Sequence, residues 1–193
     1  VKAQQMKVLV EDLFEYTKVR QTSTPIAKTT FDMEQMLEQL AASFELEAQK
    51  KNMQIMVECQ PAPLMMEADT EKLGRGFNNL IANALKYGKG GKQIILSAEK
   101  FGQEAIIKVS NDGQQIPSDS LNQLFDRFYR VEASRSQETG GTGLGLAITQ
   151  SIVALHGGYI YADSTPELTS FVIHSPLKLG RQTEPQNGAA KNS

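Results

Sequence analysis

The sequence predicts an α+β chain, a two-layer sandwich with helices on one face of a mixed, mostly antiparallel sheet. Two observations predict it. Segments with an apolar stripe at helical spacing alternate with short β-type runs. Several of those runs are joined by turns too short for a crossover helix, such as Phe101-Gly102-Gln103. At 193 residues the chain is long enough for one full domain and an appendage.

The elements follow in order. Lys2 to Arg20 reads as a helix with Met6, Leu9, Val10, Leu13 and Thr17 on one stripe. Gln21 to Pro25 is polar and ends in proline, so it reads as a linker. A lone helix before a linker cannot bury its own stripe. It needs a partner helix, either missing from this sequence or in a second subunit, and the linker favours that reading over a cap on the main domain. Lys28–Phe31 reads as a strand. Asp32 caps a helix whose stripe is Met33, Met36, Leu37, Leu40, Ala41 and Phe44. Met53–Cys59 and Leu64–Glu67 read as strands around Pro-Ala-Pro. Asp69 or Thr70 starts a helix to about Tyr87. Gln93–Lys100 and Glu104–Ser110 are strands, and Pro117 opens a short helix to about Phe128. Phe125 and Phe128, three apart, should anchor that helix in the core. Tyr129–Gly143 is a polar loop, Leu144–His156 a helix stopped by Gly157-Gly158, and Tyr159–Asp163 with Ser170–His174 a hairpin. The domain plan is therefore 1–22, 23–179 and a disordered tail, 180–193, without aromatic or branched aliphatic residues.

Charge and composition exclude several classes. Twenty Lys+Arg against 22 Asp+Glu leave a net charge of −2, which argues against a nucleic-acid binder driven by bulk charge. A single cysteine, Cys59, and two histidines, His156 and His174, disfavour a disulfide framework and a Cys- or His-rich metal site. No apolar run is long enough to span a bilayer and no signal peptide opens the chain, so a cytoplasmic setting is expected.

Three segments carry chemistry. In Phe77–Gly88, Leu73, Phe77, Leu80, Ile81, Ala84 and Leu85 share one arc of a helix. Asn79, Asn83, Lys86 and Tyr87 share the other. An amide oxygen can ligate Mg²⁺ while phosphates and waters complete its shell, and a lysine one turn away can meet phosphate. Taken alone, such a face is usually just solvated. In Lys108–Pro117 a strand runs into Asn111-Asp112-Gly113, which is ordinary turn chemistry but also a place where a polar side chain reads an adenine edge. In Gly140–Ile148 glycines two apart precede an apolar helix stripe of Leu144, Ile148 and Leu155, an arrangement that favours phosphate on free N–H groups. The spacing fits neither a P-loop nor the dinucleotide fingerprint. Arg130 and Arg135 lead into this loop, within reach of a polyphosphate or simply solvated.

Together these segments resemble the ATP-binding catalytic domain of sensor histidine kinases, a branch of the superfamily shared with gyrase, Hsp90 and MutL. The N box is Asn79–Tyr87, the G1 box Asn111–Pro117, the F box Leu124–Arg130 and the G2 box Gly141–Leu146, in the family's order. The likeness covers Lys28 to Leu177. Leu9 to Lys18 looks like the second helix of the family's dimerisation hairpin, and the wording around Phe128–Gly145 is most similar to VanS-type vancomycin-resistance sensor kinases. The resemblance implies a Bergerat-type sandwich binding Mg·ATP under a lid, Tyr129–Gly143. It implies Asn83 as the Mg²⁺ ligand, supported by Asn79 one turn earlier, and Lys86, Arg130 and Arg135 on phosphates. Tyr87 would line the pocket, and Gly141, Gly143 and Gly145 would cradle the triphosphate. Gly113, Ile116, Thr142 and Leu144 would complete the nucleotide contacts.

There are two departures. The family's adenine-reading aspartate falls on Asn111, with Asp112 one place late on the opposite side of an extended chain. An Asn oxygen still accepts from adenine N6, but a flipped amide would donate to guanine O6, so weaker purine discrimination is expected. Gln115 replaces the second G1 glycine and should reshape the pocket mouth.

The resemblance implies transfer of the ATP γ-phosphoryl to a histidine on a dimerisation helix absent from this sequence, then relay to a response-regulator aspartate. It implies a homodimer in the full-length protein, which would be a membrane-anchored sensor. Neither His156 nor His174 lies where that acceptor belongs. Alternatives are a hydrolytic ATPase or anti-sigma serine kinase of the same superfamily, and a non-catalytic binding module. Asn79 stands where hydrolytic members carry glutamate, the dimerisation-like helix disfavours the anti-sigma class, and intact Asn83, Lys86 and G2 glycines disfavour the third.

Overall fold

The computed structural model describes residues 2–20, 25–88, 90–131 and 142–179. Its elements are α1 (Lys2–Arg20), β1 (Thr29–Asp32), α2 (Met33–Lys50), β2 (Gln54–Gln60), β3 (Met65–Ala68) and α3 (Thr70–Tyr87). They continue with β4 (Gln93–Phe101), β5 (Glu104–Asn111), α4 (Ser118–Leu121), α5 (Gly145–Leu155), β6 (Tyr159–Ser164) and β7 (Thr169–Pro176).

Among the described residues, five strands form one sheet in the order β2-β4-β5-β7-β6. Only β2 and β4 run parallel. The β4–β5 and β6–β7 pairs, joined by short turns, are antiparallel, and so is the β5–β7 pair between strands far apart in sequence. β1 and β3 form a separate antiparallel pair. Alternation decides the sheet's inner face. Ile94, Leu96 and Ala98 of β4 and Ala105, Ile107 and Val109 of β5 are buried, while the residues between them face outward. α2 packs on β2, and α3 lies against α5.

Both predicted caps form. Asp32 Oδ1 accepts from the Glu34 N–H at 3.1 Å, and Asp69 Oδ1 from the Lys72 N–H at 3.1 Å. The α3 stripe of Leu73, Phe77, Leu80, Ile81, Ala84 and Leu85 is wholly buried.

Three expectations are corrected. The helix opened by Pro117 ends at Leu121 and the chain continues in turns; Leu124 and Phe125 still pack on the core, but the backbone has left helical geometry before Phe128. Phe125 lies edge-on to Phe171 with centroids 6.3 Å apart, but Phe128 has φ +62° and is 57% exposed. Thirdly, α1 does not stand clear of the domain. It packs on α5 through the face bearing Asp12 and Tyr16, leaving Met6, Val10, Leu13 and Phe14 of the apolar side exposed. The expected tail, 180–193, lies outside the described residues.

Candidate functional site

α3 is the spine of the site. Its open face carries half-buried Asn79, Asn83 and Lys86 and exposed Tyr87, while its apolar stripe faces the core. From Asn79 to Gly88 the helix advances about 14 Å at 1.5 Å per residue. One end of that stretch touches the glycine turn before α5, and the other touches the end of β5.

At the first end, Asn79 Nδ2 donates to the Gly145 carbonyl at 3.1 Å and lies 3.4 Å from Thr149 Oγ1. Thr149 is fully buried, and its hydroxyl donates to the same carbonyl at 2.9 Å. A Cβ on Gly145 would already touch the Asn79 amide carbon at 3.6 Å. Asn79 thus ties the helix to the glycine turn. Its amide nitrogen donates there, and only its oxygen has the chemistry to face a cation.

The turn itself is held by an unusual crossing. The Phe128 N–H donates to the Gly143 carbonyl at 2.9 Å. Gly143 has φ +71°, and a Cβ there would lie 2.8 Å from the Phe128 Cα, so both backbone conformation and space demand glycine. The Thr142 hydroxyl accepts from the Leu144 N–H at 3.3 Å. Leu144 is buried behind the turn.

At the other end, Gly88 and Gly113 meet back to back. A Cβ on Gly113 (φ +142°) would lie 3.0–3.1 Å from the Gly88 backbone, and one on Gly88 would lie 3.1 Å from Asn111 Nδ2. Asn111 is 6% exposed at the end of β5. Its Nδ2 donates to the Asp112 carbonyl at 3.1 Å, which leaves Oδ1 as the acceptor. A flip would set oxygen against that carbonyl oxygen, so the amide is oriented. Asp112 points elsewhere, with Oδ1 accepting from the N–H groups of Lys92 and Gln93 at 2.8 Å each. Gln115 donates to the Ser164 carbonyl at 3.2 Å, and the Ile116 N–H to Ser164 Oγ at 2.9 Å. Together they dock the G1 turn on the β6–β7 hairpin.

Lys86 Nζ sits 5.0 Å from the Tyr87 ring centroid. Arg130 is half-buried. Arg135 and Gly141, and most of the expected lid, lie outside the described residues. No group of three or more His, Cys, Asp or Glu suited to a metal occurs among the described residues. An all-protein cage is therefore missing there. A single half-buried amide, Asn83, fits a magnesium ion that arrives with its phosphates and keeps waters.

Sequence reasoning missed two ties. Thr149 gives no signal in the sequence, since it stands beside Gln150 and Ser151 in the same helix and only the packing buries its hydroxyl. The sequence marks His156 only as a helix end. It is 2% exposed, accepts from the Asp69 N–H on Nε2 at 3.0 Å, and therefore carries its proton on Nδ1, 2.8 Å from the Ile152 carbonyl. Burial, outweighing that carbonyl and Asp69, pushes its pKa below the usual histidine range. Asp69 is itself held below the usual carboxylate range. Burial works against its charge, but the Lys72 ammonium at 2.6 Å and the N–H groups of Lys72 and Ala27 prevail.

Comparison with known proteins is consistent with this arrangement. Residues 68–179 match the family described as histidine kinase-, DNA gyrase B- and HSP90-like ATPase. The chain is 35% identical over 175 residues to the sensor protein VanS of Enterococcus faecium, covering 91% of this chain and 45% of that one. It is 36% identical over 176 residues to the sensor protein VanSC of Enterococcus gallinarum, covering 91% and 48%. It is 33% identical over 174 residues to the sensor protein kinase WalK of Staphylococcus saprophyticus, covering 89% and 28%. The chain thus spans less than half the length of these relatives. The catalytic domain of histidine kinase ThkA superposes with a TM-score of 0.70 at 26% identity, covering 78% of this chain and 96% of that one. Two further structures at 22% identity share the fold. Full-length ShkA in complex with AMPPNP has a TM-score of 0.79 and coverages of 90% and 36%. ThkA in complex with the response regulator TrrA has a TM-score of 0.76 and coverages of 94% and 50%. None of the described helices is long and apolar enough to cross a membrane. With boxes, fold and relatives in agreement, this chain belongs to the histidine kinase-, DNA gyrase B- and HSP90-like ATPases and carries the ATP-binding catalytic domain of a sensor histidine kinase.

Proposed function

We propose that this domain binds Mg·ATP along the open face of α3 and donates the γ-phosphoryl to a histidine on a dimerisation helix. The observation that carries the reading is the bridging of α3. Asn79 fastens one end to the glycine turn, and Gly88 packs against Asn111 and Gly113 at the other. An extended nucleoside triphosphate laid along that face has its purine at Asn111 and its phosphates at Thr142–Gly145.

Each residue then has a task. Asn111 Oδ1 accepts from adenine N6, and because its amide is oriented, the acceptor-only O6 of guanine is refused. This favours adenine selectivity over the relaxed discrimination that the bare substitution suggests. Ile116 and Tyr87 flank the purine. N–H groups of the glycine turn, with Lys86 and Arg130, meet the phosphates, and Arg135 and Gly141 are proposed to join them. Asn83 would hold Mg²⁺, which when bound neutralises charge on the phosphates. Catalysis by this chain is positioning and charge neutralisation, and no general base is assigned within it.

The acceptor is neither histidine of this sequence. His156 is buried with both ring nitrogens engaged. His174 is stacked on Tyr159 at 4.5 Å in β7. The exposed apolar side of α1 supports its assignment as a dimerisation helix, with a homodimer as the working form. The phosphohistidine would pass its phosphoryl to a response regulator, the kind of partner that ThkA holds in its complex. The 35% identity to VanS supports a place among resistance-type sensors.

The test supplies a separate histidine-bearing helical hairpin with γ-labelled ATP. The chain should label the hairpin and not itself. Asn83→Ala should abolish transfer while the melting temperature is retained, and an active Asn83→Ala variant would overturn the metal assignment.

A further inference from the structure

Asp12 lies far from the nucleotide boxes in sequence and was not expected at the site. Its Oδ2 accepts from the Thr142 hydroxyl at 2.6 Å, a short charge-assisted bond. Its Oδ1 lies 3.5 Å from Arg75 Nη2, so the carboxylate is held from both sides. One turn further along α1, the Arg127 guanidinium stands 5.7 Å from the Tyr16 ring centroid. Arg127 immediately precedes Phe128, whose N–H bonds Gly143. α1 therefore touches both chain segments that meet at that bond.

A threonine hydroxyl has one proton to donate. Here Asp12 takes it. Triphosphate oxygens are acceptors, so a phosphate at Thr142 requires the same proton, and the carboxylate beside it repels the incoming charge. We propose that Asp12 is a built-in antagonist of the nucleotide: docking of α1 and binding of a triphosphate compete for the Thr142 hydroxyl. This inference rests on the nucleotide reading given above. A displacement of α1 that withdraws Asp12 frees Thr142, and by linkage the nucleotide loosens α1 by the same factor.

A merely structural bond predicts the opposite sign, since losing it would slacken the turn and weaken binding. The experiment is calorimetry of Mg·ATP on the full chain and its Asp12→Ala, Asp12→Asn and Glu11→Ala variants. It is paired with hydrogen exchange at the Phe128 and Leu144 amides without nucleotide. Asp12→Ala should bind ATP about fivefold or more tighter, the lower end of ordinary coupling between sites. Asp12→Asn, which keeps an acceptor oxygen but not the charge, should fall between it and the wild type. Glu11→Ala, exposed and paired with Lys7 at 3.8 Å, should match the wild type. Exchange at both amides should quicken in Asp12→Ala. Equal or weaker affinity in Asp12→Ala overturns the antagonism, and so does unchanged exchange. If no form takes up ATP while exchange still quickens, the nucleotide reading has failed and the competition falls with it.

Discussion

Replacing His156 with alanine tests the tie that joins the end of α5 to the start of α3. The imidazole is the acceptor for the Asp69 N–H at 3.0 Å. Asp69 in turn caps α3 and receives the Ala27 N–H at 3.0 Å, so three separate segments converge on Asp69, and the ring holds its backbone N–H. Losing the acceptor leaves a buried N–H unsatisfied, at a cost of about 1–3 kcal/mol. Losing the ring opens a hole in a fully packed place, for about another 2 kcal/mol. The variant should therefore be about 3–5 kcal/mol less stable, a large part of a domain's ordinary ~5–15 kcal/mol. The pH dependence has a definite sign. The folded ring's pKa is lowered, so between it and the unfolded value of about 6.5 the unfolded chain binds more protons. This contribution is complete above about pH 7 and shrinks as pH falls below about 6.5, by at most ~1.4 kcal/mol per pH unit. Urea unfolding at pH 7.5 and 5.5 measures both effects. His156→Gln, which can offer an oxygen to the Asp69 N–H, should recover part of the loss while abolishing the pH slope owed to the ring. His174 is unchanged in these variants and cancels in the comparison. A loss below ~1 kcal/mol in His156→Ala, or parallel pH profiles for wild type and His156→Gln, would refute the reasoning.

Two further outcomes follow from the site. With its amide oriented by the Asp112 carbonyl, Asn111 should let ATP outcompete GTP by about tenfold or more, one hydrogen bond's worth with its penalty. Asn111→Leu should weaken ATP binding by about tenfold or more in a fluorescence competition assay, and GTP competing as well as ATP would contradict the oriented amide. Gly143→Ala should lower stability by about 2 kcal/mol or more, from a left-handed backbone and a backbone clash together. Gly90→Ala, also at positive φ but with nothing within 4 Å of the added carbon, should cost only the ~1 kcal/mol backbone part, and thermal melts compare the two.

Much of this domain was legible from local pattern. The apolar stripe of α3 is buried residue for residue, and Asp32 and Asp69 cap the helices they precede. The displacement of Asp112 to the opposite side from Asn111 follows from the alternation of an extended chain, and its side chain indeed turns to Lys92 and Gln93. Such features depend on neighbours within a turn or two, so the order of residue types is enough to set them. Tertiary structure decided the rest. The face by which α1 docks, the bond from Asp12 to Thr142 and the bond from the Asp69 N–H to His156 join residues 130 and 87 positions apart. No periodicity encodes such pairs, because an exposed-looking Asp or a helix-ending His has the same local pattern whether or not a partner waits across the fold. Only the packing of α1 and α3 against α5 brings those partners within hydrogen-bond range.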